Sequence, residues 1–203
     1  MKFYKLTYDM DSIDKLSKEE KNFIYAEESN LKEIECAGVK KGFFHNIIFN
    51  RLELIDWPKV KFYYSSIVSN RESDYLLNVN RWPVIHERVK AALEKENIKG
   101  IKFYKIDLCD VVTGQVNTNY SVIYIENFID AFDLTKSKYK YNEKYDMYTF
   151  VPKQTFLNLD NCRGYDIFRC SKSVAGIYVS DKFYKIINNY EFTCFYFEEQ
   201  LLN

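Results

Sequence analysis

Two histidines, five cysteines and one strip of alternating lysine and tyrosine are the residues of this chain whose types could carry chemistry. Any histidine general base, catalytic triad or zinc site must use His45 or His86, since no other imidazole is present. His45 sits inside Phe43-Phe44-His45-Asn46-Ile47 and reads as a strand side chain, while His86 reads as a solvated residue on the first turn of a helix. A cysteine nucleophile needs its pKa depressed by an imidazole or a helix N-terminus. Cys36, Cys109, Cys162, Cys170 and Cys194 have no such place, and they lack the paired spacing of a disulfide framework or zinc knuckle. Reduced, mostly buried thiols are the expectation, with a Cys–His enzyme open only through a spatial pairing that spacing does not reveal. All six glycines are isolated, so no phosphate-cradling loop can be built. The carboxylate pairs Asp9 with Asp11, Glu19 with Glu20, Glu27 with Glu28 and Glu198 with Glu199 suit a solvated face better than acid–base work. No catalytic site, cofactor or metal is expected.

The strip holds Lys136, Lys138, Tyr139, Lys140, Tyr141, Lys144 and Tyr145, and its cations and rings could serve single-stranded nucleic acid by neutralisation and stacking. Glu143 and Asp146 dilute the charge. A mobile, solvated loop is the plain expectation for 136–148, and the same tyrosines would suit a protein partner. Across the chain 29 basic and 29 acidic residues cancel, so no overall field draws it to nucleic acid or an anionic membrane. Nucleic acid is therefore a disfavoured partner. No apolar stretch reaches eighteen residues and residues 1–21 do not form a secretion signal, which leads to the expectation of a cytoplasmic protein with no membrane contact.

These residues must be positioned by a sheet-rich scaffold. Tyrosine and phenylalanine make up most of the 18% aromatic content and favour pleated, half-buried surfaces. Period-two alternation predicts a strand at Lys2–Tyr8, and Ser17-x-x-Glu20 has the form of a capping box for one or two short helices between Ser12 and Glu35. Further strands are predicted at Phe43–Phe49 and Lys61–Ile67, a short helix at Ser69–Leu77, and a helix from Pro83 through Val84, Ile85, Val89, Ala92 and Leu93 to a stop at Gly100. Ile101–Leu108 and Tyr120–Ile125 read as a hairpin. Tyr148–Val151, Ile167–Cys170 and Ile177–Val179 read as short strands, Asp181–Asn189 as a helix capped by Ser180, and Phe192–Phe197 as a closing strand. A shift of 94 residues, which carries Phe103 onto Phe197, also lays Val89 on Phe183, Leu93 on Ile187 and Ile101 on Phe195: a helix, a turn and a strand, twice. The fold class is α+β, a mostly antiparallel sheet with a few flanking helices. One domain over 1–203 is expected, with 1–53 as an N-terminal strand and helix elaboration.

From 54 to 198 the chain resembles immunity family eleven of polymorphic toxin systems, the myxobacterial-type immunity domain. The likeness rests on four segments in order: Trp82-Pro83-Val84-Ile85 leading to Glu96–Tyr104, then Tyr124–Leu134 with Ser137, then Asp166-Ile167-Phe168-Arg169, then Ile177–Ser180. One departure stands out. Where the family enters its last strand through Thr-Gly-Phe, this chain has Thr193-Cys194-Phe195, so a positive φ is not expected there. The resemblance implies a protein that binds and neutralises a cognate toxin domain by occlusion, through a surface rather than a reaction. Its polar residues Asp130, Asp133, Ser137 and Arg169, with Trp82, Tyr139 and Tyr141, are the candidate contacts. Trp82 is read as either an exposed anchor or a core residue, and each polar residue as either a contact or an internal cap.

Overall fold

The computed structural model describes residues 1–10, 22–37 and 57–203. The expected capping box at Ser17, the strand Phe43–Phe49 and His45 lie outside them. The described strands are, in chain order, β1 (Phe3–Tyr8), β2 (Asn22–Phe23), β3 (Tyr25–Ala26), β4 (Glu28–Ser29), β5 (Lys61–Tyr64), β6 (Ser69–Arg71), β7 (Tyr75–Asn78), β8 (Val84–His86) and β9 (Ile101–Asp110). There follow β10 (Val116–Ile125), β11 (Phe128–Ile129), β12 (Tyr139–Asn142), β13 (Met147–Phe150), β14 (Phe156–Leu157), β15 (Ile167–Cys170), β16 (Ser173–Ser180), β17 (Phe195–Glu199) and β18 (Leu201–Leu202). The helices are α1 (Leu31–Cys36), α2 (Glu87–Lys95), α3 (Leu159–Cys162) and α4 (Asp181–Asn189). The protein is α+β, dominated by antiparallel sheet.

Two sheets carry the fold, and they are built alike. One runs β11-β15-β16-β1-β17, the other β3-β7-β8-β10-β9-β5-β4. In each, the first pair is parallel (β11 with β15, β3 with β7) and the next three junctions are antiparallel. The helix that follows the third strand, α4 after β16 or α2 after β8, leads into the last of these strands, β17 or β9. The 94-residue shift seen in the sequence lays α2 on α4 end to end and Ile101, the start of β9, on Phe195, the start of β17. The likeness continues past it, since β14 pairs with β18 in parallel as β5 does with the far half of β9. The position of β10 in one sheet is taken by β1 in the other. The strand nearest the N-terminus thus lies inside a sheet whose other strands come from beyond residue 127.

Capping reproduces the same repeat in backbone detail. The His86 Nδ1 accepts from the Arg88 amide, and Ser180 Oγ accepts from the Phe183 amide, so each helix has a side-chain N-cap. At the far ends Ile98 N–H reaches Leu93 C=O and Phe192 N–H reaches Ile187 C=O, both at 3.0–3.1 Å, the six-to-one bond that closes a helix over a left-handed residue. Asn97 and Glu191 supply that residue, at φ 56° and 53°.

A carboxylate from each copy grips the other copy's turn. Asp74, immediately before β7, is buried and accepts from the Thr193 amide at 2.7 Å and the Thr193 hydroxyl at 2.9 Å, while both its oxygens receive the Arg88 guanidinium. Asp166, immediately before β15, accepts from the Lys99 amide at 3.3 Å and faces Lys182 at 3.8 Å. Thr193 and Lys99, like Arg88 and Lys182, are equivalent under the shift. Between these clasps α2 packs on α4, and a shared core forms from Ile85, Val89, Leu93, Val179, Phe183 and Ile187. Each sheet also has a core on its outer face, one around Trp82, Phe62 and Tyr120 and one around Phe3, Phe132 and Phe168.

Several expectations are corrected. Ser69–Leu77 is not a helix: Ser69–Arg71 and Tyr75–Asn78 are strands that pair with residues 22–26. Val84 and Ile85 belong to β8, and the helix begins only at Glu87, because His86 is its cap rather than a first-turn residue. Cys194 does take a positive φ, 68°, where its counterpart Gly100 has 78°. The left-handed conformation is thus kept although the glycine is not.

Two outcomes follow for stability. Asp74→Ala, which leaves the Thr193 amide without its acceptor, is expected to lower the unfolding free energy by about 2 kcal/mol in urea titration. At an ordinary position glycine is less stable than alanine; at Cys194 the order reverses, and Cys194→Gly is expected to be more stable than Cys194→Ala by about 1 kcal/mol in the same titration.

Candidate protein-binding site

Residues 136–148 are not a loop. They form most of a hairpin, with Tyr139 opposite Phe150, Lys140 opposite Thr149, Tyr141 opposite Tyr148 and Asn142 opposite Met147. Asp146, at φ 47°, closes it. Residues directly opposite in an antiparallel pair share a face and successive residues alternate. One face of the ribbon is therefore Tyr139, Tyr141, Tyr148 and Phe150, and Lys140 lies on the other. This separates Lys140 from the rings, the reverse of what stacking and neutralisation by adjacent residues on one nucleic-acid strand require.

Sequence-nominated polar residues build the hairpin's base. Asp133 Oδ1 accepts from the Thr135 amide at 2.8 Å, the Thr135 hydroxyl at 2.6 Å and the Lys136 amide at 3.2 Å, and its other oxygen accepts from the Asn203 side chain. The Thr135 hydroxyl does most to hold this carboxyl below the usual carboxylate range, against the opposing effect of burial. Ser137 Oγ accepts from the Phe156 amide at 2.9 Å and donates to the Phe156 carbonyl at 3.2 Å, tying the two legs together. Both residues are buried and act as internal caps.

From that base the rings project. Phe150 lies on Phe132 with centroids 3.9 Å apart and so roots the ribbon in the outer core, while Tyr148 stands 5.0 Å from Tyr139 and 4.7 Å from Tyr141. The Tyr141 hydroxyl donates to Asp146 at 2.8 Å. Tyr139 and Tyr141 remain 36% and 46% exposed. Asp130 is also on the surface, paired at 2.6 Å with Lys172, whose ammonium lies 5.9 Å from the Tyr148 ring centre. Beside the ribbon opens a cleft of about 550 Å³ lined by Met147, Phe150, Phe132, Tyr178, Lys153 and Glu199 among others. Gly176 shapes its floor, since a Cβ there would stand 2.7 Å from the Tyr178 ring.

Five of the seven nominated residues thus converge on one hairpin: Asp130, Asp133, Ser137, Tyr139 and Tyr141. The other two do not. Trp82 is 2% exposed, packed edge-on to Phe62 with its backbone held at both ends by the Asn78 side chain, so it is a core residue and not an anchor. Arg169 is 7% exposed and lines a separate cavity between the sheets. Tyr148, Met147 and Lys172 complete the surface without having been singled out. Period-two alternation through Tyr139, Tyr141, Tyr148 and Phe150 was the signal for Tyr148.

The surroundings of Cys109, Cys162 and Cys170 oppose nucleophilic chemistry. Burial pushes the Cys162 thiol up to about 12, holds Cys170 well above its ordinary value and lifts Cys109, the reverse of activation. His86 serves as a cap, with its ring edge-on to Tyr120. Among the described residues no cluster of three or more histidine, cysteine or acidic side chains could hold a metal ion, and no helix is long and apolar enough to cross a membrane.

A match to the model of the immunity protein family Imm11 extends over residues 2–201. The chain belongs to that family. The Imm11 match takes in β1 and reaches β18, past the 54–198 stretch on which the resemblance was read. No curated protein matches the chain. Membership of an immunity protein family implies a protein partner, a toxin.

The state of Asp133 sets a pH dependence. Its folded pKa lies below the unfolded value, so its contribution is complete above about pH 4 and is lost as pH falls through the depressed value. Backbone amide shifts of Tyr139–Phe150 are expected to move towards unfolded values on acidification below about pH 4. In Asp133→Asn that acid limb should be absent.

Proposed function

We propose that this protein is the immunity partner of a bacterial polymorphic toxin, and that it binds one toxin domain stoichiometrically and covers a surface that domain needs, without catalysis of its own. The aromatic face of the β12–β13 ribbon is the contact. The observation that carries this is the exposure of Tyr139 and Tyr141 on a hairpin whose base is locked by Asp133 and Ser137. Rigid tyrosines lose little rotamer freedom on binding, and a locked base removes the cost of ordering the ribbon. Asp130 and Lys172 form a charged rim that would set orientation and rate of encounter. Free thiols among the described residues accord with action in the cytoplasm.

Co-expression with the toxin encoded beside it tests the reading. Growth rescue and a one-to-one complex are expected, and failure of both would overturn it. The double variant Tyr139→Ala/Tyr141→Ala is expected to bind about thirtyfold more weakly by calorimetry, the loss of one hot spot of about 2 kcal/mol, with its thermal midpoint unchanged.

A further inference from the structure

At one end of the seven-stranded sheet two loops leave side by side. β5 and β9 run parallel with Tyr64 opposite Asp110, so the turn after β5 (65–68) and the loop that joins β9 to β10 (111–115) emerge together. On this tip stand five exposed aliphatic side chains: Ile67 at 80%, Val111 at 63%, Val68 at 60%, Val116 at 53% and Val112 at 47%. Residues 65–70 and 111–119 hold no charged side chain, in a chain of which 29% is charged. Turn chemistry alone asks for glycine, proline, asparagine, aspartate or serine at such places, not for valine and isoleucine. Nor does the ladder need them, because β1 and β17 pair in the five-stranded sheet as β10 and β9 do here, with no hairpin loop between them.

The tip is locked, and its backbone is already satisfied. Asp110 is buried between the two loops and clasps both: its Oδ1 accepts from the Ser66 amide and from the Val112 amide, each at 3.1 Å, and its Oδ2 accepts from the Thr113 hydroxyl at 2.6 Å. That hydroxyl accepts in turn from the Gln115 amide at 3.2 Å. The Val111 amide donates to the Tyr64 carbonyl, the Gly114 amide to the Asp110 carbonyl, and the Val68 and Ser69 amides to the Ser65 carbonyl. A loop destined to stay in water can leave such amides to water. Here the protein supplies the acceptors, so covering the tip with an apolar surface orphans none of these donors.

We propose that this tip is a second contact on the toxin domain, an aliphatic knob that enters an apolar, uncharged pocket of that domain. The proposal rests on the immunity reading above, but not on the ribbon, which belongs to the other copy. A second copy of this chain is the wrong occupant, because five side chains on two loop tips fall far short of the about 20–30 residues a side that a stable interface takes. A lipid surface is the wrong occupant as well. Interfacial anchoring uses tryptophan or tyrosine rings and places lysine or arginine at the headgroups, and the two loops carry none of these. A protein pocket fits: uncharged aliphatic groups demand no counter-charge from it, and a tip already held by Asp110 costs little to order on binding.

The test is calorimetric titration of the full chain with the toxin domain encoded beside it, at low and at high ionic strength. Ile67→Asn/Val111→Asn is expected to bind at least about tenfold more weakly, equally at both ionic strengths because the contact is uncharged, with its thermal midpoint unchanged. Val68→Ser/Val112→Ser should show the same loss. Wild-type affinity in both double variants, a loss confined to low salt, or a lowered midpoint in both would each overturn the proposal. So would a wild-type dimer in sedimentation, or binding to phosphatidylcholine and phosphatidylglycerol vesicles, that the variants abolish, since either assigns the tip to another occupant. The two readings fail differently. No complex with the wild-type chain sinks the immunity role and the tip contact together, a complex indifferent to the tip variants sinks the tip alone, and a complex sensitive to them but not to Tyr139→Ala/Tyr141→Ala keeps the tip and removes the ribbon.

Discussion

Two aspartates, each placed just before a strand of one copy and each gripping the helix-to-strand turn of the other, hold the two halves of this protein in register. Asp74 on Thr193 and Asp166 on Lys99 are reciprocal contacts across one approximate two-fold relation. Hydrophobic burial between α2 and α4 is the larger attraction, but it is non-directional and would tolerate sliding. Hydrogen bonds from fixed backbone amides to the buried Asp74 and the half-buried Asp166 carboxylates do not. The Asp74 clasp is the stronger, with a bidentate arginine in place of the longer Lys182 contact. The asymmetry suits a turn that must hold Cys194 in a conformation L residues resist.

With the frame set in this way, the copies are free to diverge at their edges. The turn at Asn30 in one copy corresponds to that at Asp133 in the other: Ile34 N–H reaches Asn30 C=O and Ser137 N–H reaches Asp133 C=O, each within 3.0 Å. After the second turn the chain rises into the tyrosine ribbon before it returns at β14. The proposed contact surface thus lies in an excursion between two anchored points, where sequence can change without disturbing the sheets.

Much of this was legible in the sequence, for definite reasons. Helix α4 was read with its limits and its cap because Ser180 and the apolar face of Phe183, Ile186 and Ile187 have only one helical interpretation. The repeat was visible as a shift without gaps through α2 and β9, although only coordinates show that it embraces both sheets. Val84 and Ile85 misled because β8 is buried on both sides, Val84 in the outer core and Ile85 in the shared one, and such a strand loses the period of two that marks it. Ser69–Leu77 misled for another reason: β6 is polar and short, β7 has only four residues, and the pairing of both with distant residues 22–26 leaves no local mark. The tyrosine strip showed its chemistry but not its pleat, so Lys140 and the rings beside it were taken together when a ribbon sets them on opposite faces.

The placement of β1 has a kinetic meaning. It pairs with β16 and β17, strands near the far end of the chain, so its sheet closes only when a loop that spans most of the molecule closes. The copy built around β10 needs no such event, because its hairpin partner β9 is its neighbour in sequence. Folding should therefore proceed from one half to the other, with β16 and β17 presenting raw edges until the first strand arrives between them. That interval is the moment at which this chain is most exposed to pairing with a copy of itself.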